Sequence, residues 1–146
     1  VTPDGKRVIS ASLDKTLKVW DLATGKLLLT LTSDRDSVTA VAVTNDGNRV
    51  ISASCGFEGK LNIWNLTTGE RLLTLAAHVG KVEAVALTPD GKRVISASED
   101  RMLKVWDLTT GKLLLTFNGH SGRVQAVAVT ADGKQVISGD SNSVLH

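Results

Sequence analysis

Residues 88–129, TPDGKRVISASEDRMLKVWDLTTGKLLLTFNGHSGRVQAVAV, decide the fold, because the remainder of the chain is this stretch again. Thr2, Thr44, Thr88 and Thr130 open successive copies at spacings of 42, 44 and 42 residues, and the fourth copy covers only the first half of the unit. A fixed period of this length signals a propeller, a solenoid or an array. Inside the unit, VISAS, LKVW, KLLLT and VQAVAV are strand-length runs rich in Val and Leu. Turn chemistry separates them. In Pro89-Asp90-Gly91, Pro pre-sets φ, Asp can cap its own backbone and Gly accepts positive φ. Thr109-Thr110-Gly111 reads the same way. No run has the length or the 3.6-residue period of an ordinary helix. Each unit is therefore expected to be a four-stranded antiparallel meander.

Trp20-Asp21 and Trp106-Asp107 end the third run of their units, Trp64-Asn65 is a variant of the pair, and Gly119-His120 precedes an apolar run. With the period, these residues resemble the WD-repeat β-propeller family, and the resemblance covers the whole chain. It implies an all-β fold of β-propeller blades in a partial ring of about three and a half blades. The divisions would fall at 1–37 (incomplete), 38–81, 82–123 and 124–146 (incomplete). It also implies a structural relay in each blade: a His before the innermost strand, a Ser or Thr on the second, an Asp in the next turn and the Trp on the third. One blade matches fully, through His78, Ser96 or Ser98, Asp100 and Trp106. Trp20, Trp64 and His120 hold the corresponding places elsewhere. Asp34 stands at the His position of the second blade, the turn Asp is lost within residues 55–59, and Asn142 falls at the Asp position of the fourth. These departures predict uneven stability between blades.

Composition bounds the function. The 146 residues are 42% hydrophobic, enough for a core but not for a whole ring, which takes four to eight blades. Seventeen basic and fifteen acidic residues are interspersed, giving a net charge of +2 and no electrostatic case for nucleic acid. One Cys excludes an internal disulfide, and neither a long apolar run nor a signal-peptide pattern occurs. A cytoplasmic location and no membrane contact are the expectation. No metal or other cofactor is expected: His78 and His120 lie 42 residues apart without neighbouring ligands. Cys55 lacks a His at motif spacing, the Asp-Gly turns lack alternating calcium ligands, and no P-loop, dinucleotide turn or HExxH occurs. Catalysis has no support.

Comparing the repeats locates the variable positions. Residues 2–43 and 88–129 agree at 30 of 42 positions, and 11 of the 12 differences fall in residues 13–16 or 31–39 and their counterparts. In an up-and-down meander these two connections share one end of the blade, opposite the uniform TPDG and TTGK turns. Binding residues concentrate on loops held by a rigid scaffold. A protein or peptide partner is therefore expected to meet Leu13, Lys15, Arg35, Asp36, Cys55, Phe57, Glu58, Lys81, Glu83, Glu99, Arg101, Arg123 and Gln125. Phe57 lies in the one inserted loop, two residues longer than its counterparts. It suits an interface anchor, or it folds back over the incomplete relay at Trp64. Three functions stay open: an interaction scaffold, a regulatory arm of a larger multidomain protein, and a self-assembling structural fragment. The incomplete blades need further propeller blades or a second copy to cover them. Because residues 1–17 align with 129–145, closure by copies would count blades in threes.

Overall fold

The structure is a computed structural model, and it describes residues 1–33 and 36–142. Thirteen strands and no helix are present among the described residues. The first sheet holds β1 (Arg7–Ala11), β2 (Thr16–Asp21) and β3 (Leu27–Thr32) in that order. The second is a meander of β4 (Ser37–Val43), β5 (Arg49–Cys55), β6 (Glu58–Asn65) and β7 (Arg71–Val79). The third repeats it with β8 (Val82–Leu87), β9 (Arg93–Ser98), β10 (Met102–Asp107) and β11 (Leu113–Asn118). The last pairs β12 (Val124–Val129) with β13 (Val136–Asp140). Every pairing is antiparallel, and the sheets are open, so the fold is a partial propeller.

Local chemistry sets these elements. In each TPDG-type turn the leading Thr hydroxyl donates to the Asp two residues on, which also accepts a backbone N–H: Lys6 N to Asp4 Oδ1 and Lys92 N to Asp90 Oδ1, both 3.0 Å. These bonds, the Thr hydroxyl first, hold Asp4, Asp46, Asp90 and Asp132 below the ordinary carboxylate range. The opposite hairpin on the same rim is capped by the residue after the Trp. Asp107 Oδ1 accepts from Thr109 N and Thr110 N, each at 2.8 Å, and Asn65 Oδ1 accepts from Thr67 N and Thr68 N at 2.7 and 3.0 Å. Only an acceptor oxygen is needed there, which is why Asn serves in the second blade. A bulge directly precedes each Trp, at Val19/Trp20, Ile63/Trp64 and Val105/Trp106, re-aiming the indole across the sheet.

The core lies between sheets. One cluster joins Leu17 and Leu31 of the first sheet to Val38, Val50, Trp64 and Leu66 of the second. Another joins Ile51, Leu61, Ile63, Leu75 and Ala77 to Val82, Val94, Trp106 and Leu108 of the third. Trp64 and Trp106 thus pack on the preceding blade, the stacking that repeats need to bury their faces. The inner strands β4 and β8 are half-buried along most of their length, because an open ring leaves their axis-facing side uncovered. The outer strand β7 runs on to Val79, because the inserted loop lengthens β6 and supplies pairing partners for His78 and Val79.

Candidate functional site

The two sets of connections lie on opposite rims. On one rim, the loop before an inner strand bonds to the turn after a second strand: Ser33 N to Lys15 O at 2.8 Å, Gly80 N to Phe57 O at 3.0 Å, Glu99 N to Lys81 O at 3.0 Å and Ser141 N to Arg123 O at 2.9 Å. On the other, the TPDG-type turns meet the Trp-Asp hairpins: Leu22 N to Lys6 O and Leu66 N to Asn48 O at 2.8 Å, and Leu108 N to Lys92 O at 2.9 Å. The described residues of the two variable connections therefore share one rim, and the Ala23/Thr109 difference lies on the other.

On this variable rim Leu13 is 75% exposed and Phe57 is 91% exposed, so Phe57 points into solvent and does not fold back over Trp64. Lys15, Glu58, Arg101, Arg123 and Gln125 are exposed, while Cys55, Lys81, Glu83 and Glu99 are half-buried. Several charges are tied to one another. Arg123 Nη1 lies 2.8 Å from Glu99 Oε1, bridging the third and fourth sheets, and Lys81 Nζ lies 2.7 Å from Glu83 Oε2. That contact to Glu83 holds the Lys81 ammonium above its ordinary pKa. Asp36 is only half-exposed: a Cβ on Gly56 would lie 2.7 Å from its Oδ1, so its carboxyl fills the room left by the missing turn Asp. Arg35 and Asp34 lie outside the described residues.

Two features of this rim were not visible in residue types. Val79, 73% exposed, pairs with Glu58, the residue after Phe57. Its position on the rim depends on the longer β6–β7 hairpin. Lys15 and Arg101 occupy the left-handed backbone region at φ 72° and 70°, the two non-glycine residues to do so among those described. They are equivalent repeat positions, and each holds an exposed cation where Gly would be unstrained. Retained backbone strain of this kind clusters at functional sites.

Below the rim, the relay of the third blade runs from Trp106 to Asp100. Trp106 Nε1 donates to Ser96 Oγ at 3.1 Å, Ser96 Oγ lies 2.7 Å from His78 Nε2, and His78 Nδ1 lies 2.8 Å from Asp100 Oδ2. Ser98 is not a member; its hydroxyl donates to Lys81 O at 2.9 Å. Burial lowers the His78 pKa and outweighs the Asp100 carboxylate, which alone would raise it. The neutral ring then donates from Nδ1 and accepts the Ser96 hydroxyl at Nε2, so one direction of donation satisfies every group. In the second blade Trp64 Nε1 donates to Ser52 Oγ at 2.9 Å, and in the first Trp20 Nε1 donates to Ser10 Oγ at 2.9 Å.

The fourth blade corrects one expectation. Asn142 does not stand in for the relay Asp: His120 Nδ1 lies 3.2 Å from Asp140 Oδ2, and its Nε2 lies 2.7 Å from Ser138 Oγ. The carboxylate comes from the strand two residues earlier, at the repeat position of Ser98, and also accepts Gly122 N at 3.2 Å. Asn142 instead donates to Ser121 Oγ at 3.0 Å. Among the described residues no group of three or more His, Cys, Asp or Glu could hold a metal ion, and no helix is long and apolar enough to cross a membrane.

Comparison with known proteins agrees with this architecture. Residues 4–104 match the family described as NWD2 C-terminal beta-propeller, and residues 111–146 match the WD domain, G-beta repeat. Autophagy-related protein 16 of Arabidopsis thaliana is 38% identical over 50 residues, covering 34% of this chain and 10% of the relative. An uncharacterized WD repeat-containing protein of Synechocystis is 36% identical over 56 residues, covering 38% of this chain and 16% of the relative. The chain thus spans a small part of the length of these curated relatives. A 42-residue meander with a Trp at each third strand, carried by matches along nearly its whole length, places the chain in the WD-repeat β-propeller family.

Proposed function

We propose that the chain is a non-catalytic, cytoplasmic interaction scaffold that binds a protein or peptide partner through its variable rim. The observation that carries this reading is the joint placement of sequence variation and backbone strain. Residues that differ between otherwise near-identical repeats share the rim with Lys15 and Arg101, held at positive φ, and with the exposed apolar pair Phe57 and Val79. An exposed aromatic side chain on a rim that also carries exposed cations has the composition of an interface anchor with a polar border. The opposite rim is built of turns whose side chains are spent on their own backbones. A regulatory arm of a larger protein is the second reading, favoured by relatives that extend far beyond the matched segment.

The test is partner capture by the chain carrying F57S, R101E and R123E together, against a control carrying K6E, K92E and K134E on the opposite rim. The reading expects loss of capture with the first set and retention with the second. Equal capture by both would refute the assignment of the rim.

A further inference from the structure

A cavity of about 240 Å³ lies between the β3–β4 connection and the second blade. It is lined by Ser33 and Asp36 of that connection and by Ser54, Lys60, Asn62, Arg71 and Thr74 of β5, β6 and β7. Its walls depart together from those of the third blade. At the repeat positions of Ser33, Asp36, Lys60, Asn62 and Arg71 the third blade has Ala77, Gly80, Met102, Lys104 and Leu113. There the Lys104 ammonium reaches Ala77 O at 2.8 Å and bridges the corresponding gap. Asn62 is a shorter side chain, and its Oδ1 instead accepts the Thr74 hydroxyl at 2.7 Å.

Two of the lining groups have no partner although their residues are almost wholly buried. Asn62 and Ser33 are each 4% exposed. Among the described residues nothing accepts from Asn62 Nδ2, and nothing bonds the Ser33 hydroxyl. No enclosed side-chain nitrogen or oxygen among those residues lacks a partner, so both groups open into the cavity. A polar group so placed calls for a hydrogen-bonding occupant. Charge says which kind. The half-buried Lys60 ammonium has no acid partner among the described residues, and Arg71 lies at the exposed side with its guanidinium carbon 5.7 Å from the centre of the Trp64 ring. Asp36 is the single acid among the described lining residues. Lys60 and Asp36 line the same cavity yet do not pair with each other.

We propose that this cavity binds a small zwitterion, a free α-amino acid, with its carboxylate against Lys60 and Asn62 Nδ2 and its ammonium against Asp36. An amino acid carries both charges on one carbon, so both are met within a small space. The volume falls below the roughly 300–1,000 Å³ of sites for drug-sized ligands, and its polar walls suit a ligand with little apolar surface, such as alanine. Water alone would satisfy Asn62 and Ser33. The unpaired cation and carboxylate are what select a ligand of two opposite charges. The inference does not rest on the reading of the variable rim.

The experiment titrates the 146-residue chain with L-alanine and follows the Asn62 side-chain N–H resonances by NMR, assigned from their absence in N62D. L-Alanine is expected to shift them saturably. Acetate lacks the ammonium that Asp36 receives, and a hydrogen bond to a charged group is worth about tenfold or more, so acetate is expected to bind more weakly by that factor. D36N is expected to bring alanine down to the acetate level, and K60M to weaken both ligands about tenfold. Inorganic phosphate at the same concentrations is expected to bind more weakly than alanine. Circular dichroism checks that each variant keeps its sheet. The absence of a saturable shift with alanine overturns the proposal, as does phosphate binding more tightly than alanine. Unchanged alanine affinity in a folded D36N also overturns it.

Discussion

Replacing Ser96 by Ala would separate the relay from ordinary packing. Ser96 is fully buried, and its Oγ accepts the Trp106 indole N–H at 3.1 Å and lies 2.7 Å from His78 Nε2. Its removal leaves two polar groups without partners on residues that are 7% and 5% exposed, where water has no access. An unsatisfied buried group costs about 1–3 kcal/mol, so the change should cost about 2–6 kcal/mol, with about 4 as the central value. Ser10 supplies the control at the same repeat position. It accepts the Trp20 indole at 2.9 Å but is exposed, so water can replace it and S10A should cost under about 0.5 kcal/mol. Urea unfolding followed by circular dichroism reads both. With a slope of about 2 kcal/mol per molar, S96A should lower the midpoint by about 2 M and S10A by about 0.25 M or less. Equal shifts, or a larger one for S10A, would refute the claim that buried acceptor loss governs blade stability.

Acidification should destabilise the chain through His78. Its folded pKa lies below the ordinary 6.5, so its contribution is complete above pH 6.5 and is lost as pH falls through the folded value. Thermal melts at pH 8, 7, 6 and 5 should show a falling Tm that H78Q flattens; a Tm rising toward pH 5 would contradict the sign. Gly111 and Gly91 both sit near φ 70°, at 70° and 67°, but a Cβ on Gly111 would lie 3.0 Å from Leu73 Cδ2 whereas Gly91 faces open space. Both Ala variants carry about 1–2 kcal/mol of backbone strain, and G111A should cost about 1 kcal/mol more in the same unfolding assay. F57S should leave stability within about 0.5 kcal/mol while abolishing partner capture, since the side chain is 91% exposed.

Much of the fold was legible because each repeat obeys the same local rules: period-two apolar runs, Asp-Gly turns and a Trp at one position. The division into two rims followed from antiparallel alternation alone. What the sequence hid depended on geometry that residue types do not encode. Asp140 reaches His120 from a strand position that elsewhere holds Ser98, so counting by repeat pointed to Asn142 instead. The carboxyl of Asp36 turns inward over Gly56 because that Gly leaves room, which an aligned pattern cannot reveal. Val79 reaches the rim only because two inserted residues extend a hairpin, and the positive φ of Lys15 and Arg101 is invisible where no Gly announces it.

The central proposal is that the variable rim recognises a partner and the uniform rim does not. Photo-crosslinking tests it most directly, with a benzophenone amino acid placed at position 57 on the variable rim or at position 92 on the uniform one. The account predicts partner adducts from position 57 and none from position 92. Adducts from position 92 with none from position 57 would contradict it.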